Sequence, residues 1–168
     1  MAGYRCRCCG EFHDEVPMHY GAPAPELWFT LPEGERDERA ELSSDVCLID
    51  GEHAFVVGNL EIPVAGCDDP FSWDVWVSVS LESLRRMGQL WDTPGRESEP
   101  PCFGWISTSL PCYPETLNLK AMVHTREVGQ RPRIELEPTD HPLAVEQRTG
   151  IDLARVQQIA EQILHSSP

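Results

Sequence analysis

Residues 71–80 read Phe71-Ser72-Trp73-Asp74-Val75-Trp76-Val77-Ser78-Val79-Ser80. Phe71, Trp73, Val75, Val77 and Val79 alternate with Ser72, Asp74, Trp76, Ser78 and Ser80. Successive strand side chains point to opposite faces, so this period of two marks a half-buried β-strand. The pattern recurs outward in both directions. Upstream, Val46 to Ile49 and Ala54 to Val57 flank the turn-like Asp50-Gly51-Glu52-His53, and Leu60 to Val64 follows Gly58. Downstream, Ser80 caps a helix running to about Trp91, and residues 92–101 form a surface loop. Phe103 to Leu110 is a further strand. Leu117, Leu119, Ala121 and Val123 alternate with Asn118, Lys120, Met122 and His124, and residues 127–130 turn that strand into another at Ile134 and Leu136. Strands in runs with few crossover helices imply an α+β fold with a largely antiparallel sheet.

The ends differ from this centre. Residues 14–32 are rich in proline and aromatics and should lie extended over the core, while residues 33–42 are charged enough for a short solvated helix. Near the C-terminus, Pro142 suits a first helical turn after Thr139 or Asp140 as cap, and Gly150 ends that helix. Asp152 caps the last helix, with Ile151 placed to staple onto Val156 and a stripe of Val156, Ile159, Ala160, Ile163 and Leu164. The expected organisation is one domain over 1–168. It has a metal knuckle at 1–13, an extended segment and short helix at 14–45, a sheet region with one helix at 46–137, and C-terminal helices at 138–168.

The chain has 168 residues, 40% of them hydrophobic, enough for a true core. Its 28 acids against 13 bases give a net charge of −15, which repels nucleic-acid backbones and anionic membranes and leaves a cationic partner open. No run is apolar enough for a transmembrane helix or a signal peptide, so a cytoplasmic location is expected. In that setting the seven cysteines read as thiols or metal ligands, not as a disulfide framework.

Cys6-Arg7-Cys8-Cys9-Gly10 followed by His13 carries the most definite chemistry. Cys6 and Cys9 can hold one tetrahedral ion from a tight turn, with His13 as third ligand and Cys8 pointing away. A structural zinc needs a fourth ligand. Cys47, on a strand able to pack beneath the knuckle, is the first candidate and His53 the fallback; Cys102 and Cys112 are too far apart to form a second pair. The proline-rich continuation argues against a thioredoxin-like pair.

A second constellation is His124, Arg126, Glu135, Asp140 and His141. Alternation puts Asn118, Lys120, His124 and Arg126 on one strand face. Glu135 lies on the next strand, which leads into the Asp140–His141 helix start. Arg126 and helix N–H groups would offer donors to an anion. The competing reading pairs Arg126 with Glu135 and makes Asp140 a simple cap. The chain has no Gly-x-Ser-x-Gly elbow, P-loop or Gly-x-Gly-x-x-Gly fingerprint.

Several segments together resemble a family of uncharacterised bacterial proteins, domain of unknown function 2199. They include Cys6-x-x-Cys9-Gly10-x-x-His13, Leu42 through Asp50, Leu60 through Val64, Trp76-Val77-Ser78, Phe103-Gly104-Trp105, Tyr113 through Lys120, and Glu135 through Ala144. The resemblance implies a bacterial cytosolic domain and no activity. It also favours Cys6, Cys9, His13 and Cys47 as ligands over Cys8, Cys67, Cys102 and Cys112. Three functions are expected to compete, one of them a purely structural or regulatory subunit without metal. Another is a zinc-stabilised domain binding a protein or small ligand. The third is an enzyme using the His124 constellation on a small polar or anionic substrate.

Overall fold

The computed structural model describes residues 3–7, 9–13 and 16–165. At its centre β6 (His53–Ile62) and β7 (Phe71–Val79) form a long antiparallel hairpin, paired from Ala54↔Val79 to Ile62↔Phe71. The two strands expected at 54–57 and 60–64 are thus one. Gly58 does not interrupt it; a Cβ there would strike the Ile134 side chain and the Pro132 carbonyl. Glycine serves here for close approach of another strand.

Next in order come β8 (Cys102–Ile106), β9 (Lys120–His124) and β10 (Arg133–Leu136). Strands β7 to β10 pair antiparallel in sequence, and β10 returns to pair with β6. The five strands close into a barrel. Five strands in up-and-down order leave the first and last pointing the same way, so the seam between β6 and β10 is parallel. A second parallel pairing joins β3 (His19–Gly21) to β7. The sheet is mixed: among the described residues six of its eight pairings are antiparallel, which keeps the expected largely antiparallel character, and these two are parallel. The seam is short, with one registered pair, Arg133↔Asn59, and an Asn59 N–H to Pro132 carbonyl bond of 2.8 Å. Beyond it, the Gln147 side chain takes the ladder's place, accepting from Leu136 N–H and donating to the Ile134 carbonyl, both at 2.8 Å.

Outside the barrel the sheet continues from β6 through β5 (Val46–Ile49) to β4 (Ala40–Leu42). This extension creates a second core. The face of β6 and β7 that turns inward carries Leu60, Ile62, Phe71, Trp73, Val75 and Val77 in the main cluster. The opposite face buries Phe55, Val57 and Trp76 with Cys47, Ile49 and Leu31. The segment around α1 (Glu26–Thr30) covers it, and Trp76 Nε1 donates to the Ala22 carbonyl. The proline-rich segment therefore lies over a core, and part of it is the short helix α1 where extended chain was expected. The charged stretch after it forms a 3₁₀ turn, Glu33–Glu35, and the single turn α2 (Arg36–Arg39) before entering β4.

Helix α3 (Leu81–Gln89) starts on a Ser80 cap, whose hydroxyl accepts from Ser83 N–H. Helix α4 (Pro142–Thr149) is capped by His141, not by Thr139 or Asp140: His141 Nδ1 accepts from Leu143 N–H at 3.1 Å. Helix α5 (Leu153–Leu164) starts on Asp152 and buries Val156, Ile159 and Ala160 in the main core. Among the described residues no helix is long and apolar enough to cross a membrane.

Candidate metal centre

The knuckle is built from two short strands, β1 (Tyr4–Arg5) and β2 (Phe12–His13), paired antiparallel. Between them the chain reverses through two backbone bonds, Cys6 N–H to the Glu11 carbonyl at 2.8 Å and Gly10 N–H to the Cys6 carbonyl at 2.9 Å. Gly10 takes a positive φ of 75°, which an L side chain rarely adopts. The Arg5 guanidinium donates to the Gly10 carbonyl, and the Tyr4 ring stacks on His13. This turn gathers the side chains. The ligand atoms of Cys6, Cys9 and His13 all lie within 4.8 Å of one another, and Cys9 Sγ is 3.7 Å from His13 Nε2. Ligand atoms around a tetrahedral zinc stand roughly 3.5–4 Å apart. The cluster is compatible with a structural metal.

Helix α5 backs the knuckle. The Arg7 N–H donates to Glu161 Oε1 at 3.2 Å, and Glu161 is buried. His165, which follows the last residue of α5, brings Nε2 to 3.1 Å from Cys6 Sγ.

Cys47 does not reach this centre. It is enclosed in the second core with Phe55 and Trp76, whereas Cys6 belongs to the main cluster. Burial pushes its thiol up to about 11, against the thiolate a metal needs. The error lay in which face of β5 points where: both faces are covered, so strand position alone could not say which cover Cys47 meets. His53 is also elsewhere, at the start of β6 beside Glu52. Cys8 lies outside the described residues.

The second constellation is only partly assembled. His124 Nε2 is 3.1 Å from Glu135 Oε1, across the β9–β10 pair. Glu135 borders a groove of about 820 Å³ that is also lined by Phe103, Lys120, Arg133 and Arg148. Asp140 is exposed and caps nothing. His141 turns Nε2 to the Pro114 and Glu115 carbonyls at 3.3 and 3.0 Å. Arg126 does not join His124 and Glu135, giving its guanidinium instead to Glu61, Asn59 and the Arg131 carbonyl. Three of the five guanidinium N–H donors of Arg126 are thus spent on groups of the protein itself.

Arg126 instead belongs to a polar cluster that the sequence reading missed. On the outer face of β6 and β7, the apolar run Phe55–Val57–Trp76 gives way to Asn59, Glu61, Ser72 and Asp74. Asp74 is 4% exposed. It accepts from Asn59, Ser72 and Arg131 and meets Nε2 of His19, a side chain 61% exposed. Arg131 also pairs with Asp45. The available signal was Asp74 itself, the one charged residue in the strand from Phe71 to Val79. Buried Arg96 fixes the adjoining hairpin, donating to the carbonyls of Arg126, Glu127 and Gln130.

A family model matches residues 5–151, from just ahead of the cysteine pair to the residue before the α5 cap. The chain belongs to DUF2199, a family of uncharacterised proteins conserved in bacteria. No curated protein and no solved structure matches it. The DUF2199 match takes in Cys6, Cys9 and His13 but stops short of His165.

Proposed function

We propose that this DUF2199 chain is a zinc-stabilised binding domain that receives a cationic segment of a protein or a small cationic ligand along the groove beside β9 and β10. The convergence of Cys6, Cys9 and His13 supports the metal. The observation that carries the binding is the aromatic rim. Phe103 and Trp105 stand edge to face on the outer side of β8, 45% and 40% exposed. Beside them Glu61, Asp68, Asp69, Glu135 and Glu137 line the groove against three bases, Lys120, Arg133 and Arg148. Aromatic faces and carboxylates together suit a guanidinium or ammonium group. Lys120 already lies over the Trp105 ring, 5.9 Å from its centroid.

The test is titration with an arginine-rich peptide, read by tryptophan fluorescence and repeated with its acidic counterpart. Binding of the basic peptide alone, weakened by added salt and by Trp105→Ser, is the expected result. Equal binding of both peptides, or none, rejects the reading. The enzyme alternative keeps one supporting feature, the exposed His19 held by buried Asp74, an arrangement suited to a general base. It has lost the convergence of His124, Arg126, Glu135, Asp140 and His141.

A further inference from the structure

We infer that His165 is the fourth ligand of the knuckle metal, so that Cys6, Cys9, His13 and His165 form a closed Cys₂His₂ site for a zinc(II)-class ion. The inference rests on the metal proposed at the first three residues and specifies its coordination. His165 Nε2 is 3.1 Å from Cys6 Sγ, and the matching pair, Cys9 Sγ and His13 Nε2, is 3.7 Å apart. A sulfur and a nitrogen sharing a tetrahedral zinc are roughly 3.5 Å apart, and the two observed values bracket that edge. His165 stands beside Cys6 and outside the mutual 4.8 Å group of the other three ligand atoms. It is exposed at the end of α5. The helix end is already docked on the knuckle, since Glu161, one turn before His165, receives the Arg7 N–H.

The coordination number decides what the metal does. Three protein ligands leave a position for water, the arrangement of catalytic zinc; four close the site and make it structural. With His165 bound, both thiols have given up their protons, both imidazoles bind neutral, and no position remains for substrate. The ion then ties the knuckle to the last turn of α5, joining segments 159 positions apart in sequence.

Cobalt(II) in place of zinc tests this on the intact chain. The expected wild-type spectrum is that of a tetrahedral ion with two sulfur and two nitrogen ligands, unchanged by added imidazole or azide. His165→Ala should lower metal affinity by at least ~100-fold, beyond the range usual for loss of a residue that only supports a ligand. It should also open the site, so that imidazole shifts the spectrum and partly restores affinity. His165→Cys should bind with a third sulfur. A wild-type spectrum that responds to imidazole, or a His165→Ala protein that binds as tightly as wild type, overturns the fourth ligand and leaves the three-residue metal standing. Failure of the wild type to take up cobalt or zinc removes both.

Discussion

Trp73, Ile106 and Ile134 in the barrel are closed off from solvent on every side, whereas in the described part of the knuckle only Tyr4 and Cys6 are buried and Phe12 stays 60% exposed. The barrel is held by apolar area, at about 25 cal/mol per Å² removed from water. The knuckle has almost none. Two strands of two residues each do not form a stable ribbon in water, so its geometry must come from a few strong, directed contacts. A metal at Cys6, Cys9 and His13 would be the strongest of these. One chain thus uses two kinds of cohesion, one spread over many residues and one concentrated in a few atoms.

The sharpest test on the barrel side is Trp73→Ala. It removes a buried ring packed against Phe71, Tyr20 and Tyr113, together with the Nε1–Tyr113 hydroxyl bond of 3.1 Å. A loss of about 3–5 kcal/mol is expected in urea unfolding; a loss under 1 kcal/mol would mean that the main core is not the source of cohesion. Next is Gly104→Ala, where a Cβ would meet Val77 and the Ser78 carbonyl at the β7–β8 junction. About 1–3 kcal/mol should be lost through overpacking, read as a lowered midpoint at unchanged slope.

On the knuckle side, Cys9→Ser or a chelator should abolish metal content while leaving the near-ultraviolet signal of Trp73 and Trp76 in place. The loss of global stability should be smaller than for Trp73→Ala. If chelation unfolds the barrel as well, the two regions are one cooperative unit and the contrast between them fails. The mildest effect belongs to pH. Burial raises the Cys47 thiol from its usual 9.0 to about 11. Below pH 9 both states keep the proton. Between about 9 and 11 the unfolded chain gives it up first and binds fewer protons, so stability falls as pH rises through this window. Cys47→Ala should flatten that part of the urea-midpoint profile; an unchanged slope would assign the effect to other groups.

The same contrast explains what could be read from the residues. The Cys6-x-x-Cys9-Gly10 turn with His13 was legible because ligand spacing within one turn is a local property. So were β7, through its period of two, and α5, through cap and stripe. Cys47 was not, because alternation puts it with Ile49 on the more buried side of β5 without saying which core that side meets. Closure of β10 onto β6 left no local trace, and neither did the approach of His165 to Cys6, since both depend on contacts far apart in the chain. His141 took the cap role through its ring nitrogen where Thr139 and Asp140 offered the more usual oxygens. The polar cluster was hidden for a simpler reason: Asp74 falls on the polar side of its strand's alternation, which does not reveal that it is buried.

The parallel seam between β6 and β10 has a kinetic consequence. Its one registered pair joins residues 59 and 133, which is 74 positions of chain to be drawn together (133 − 59). Loop closure of that length is slow compared with forming the β6–β7 or β9–β10 hairpins. The ring should therefore close last when the protein folds and part first when it breathes. The hairpin arginines lie across that joint, Arg126 to Glu61 and Arg131 to Asp74, and act as a latch where backbone pairing is thin. Amide exchange at Asn59 would then be governed by the latch, running faster than at Val56 and Val77 within the same sheet, and the barrel would behave as a strip with a fastener more than as a seamless tube.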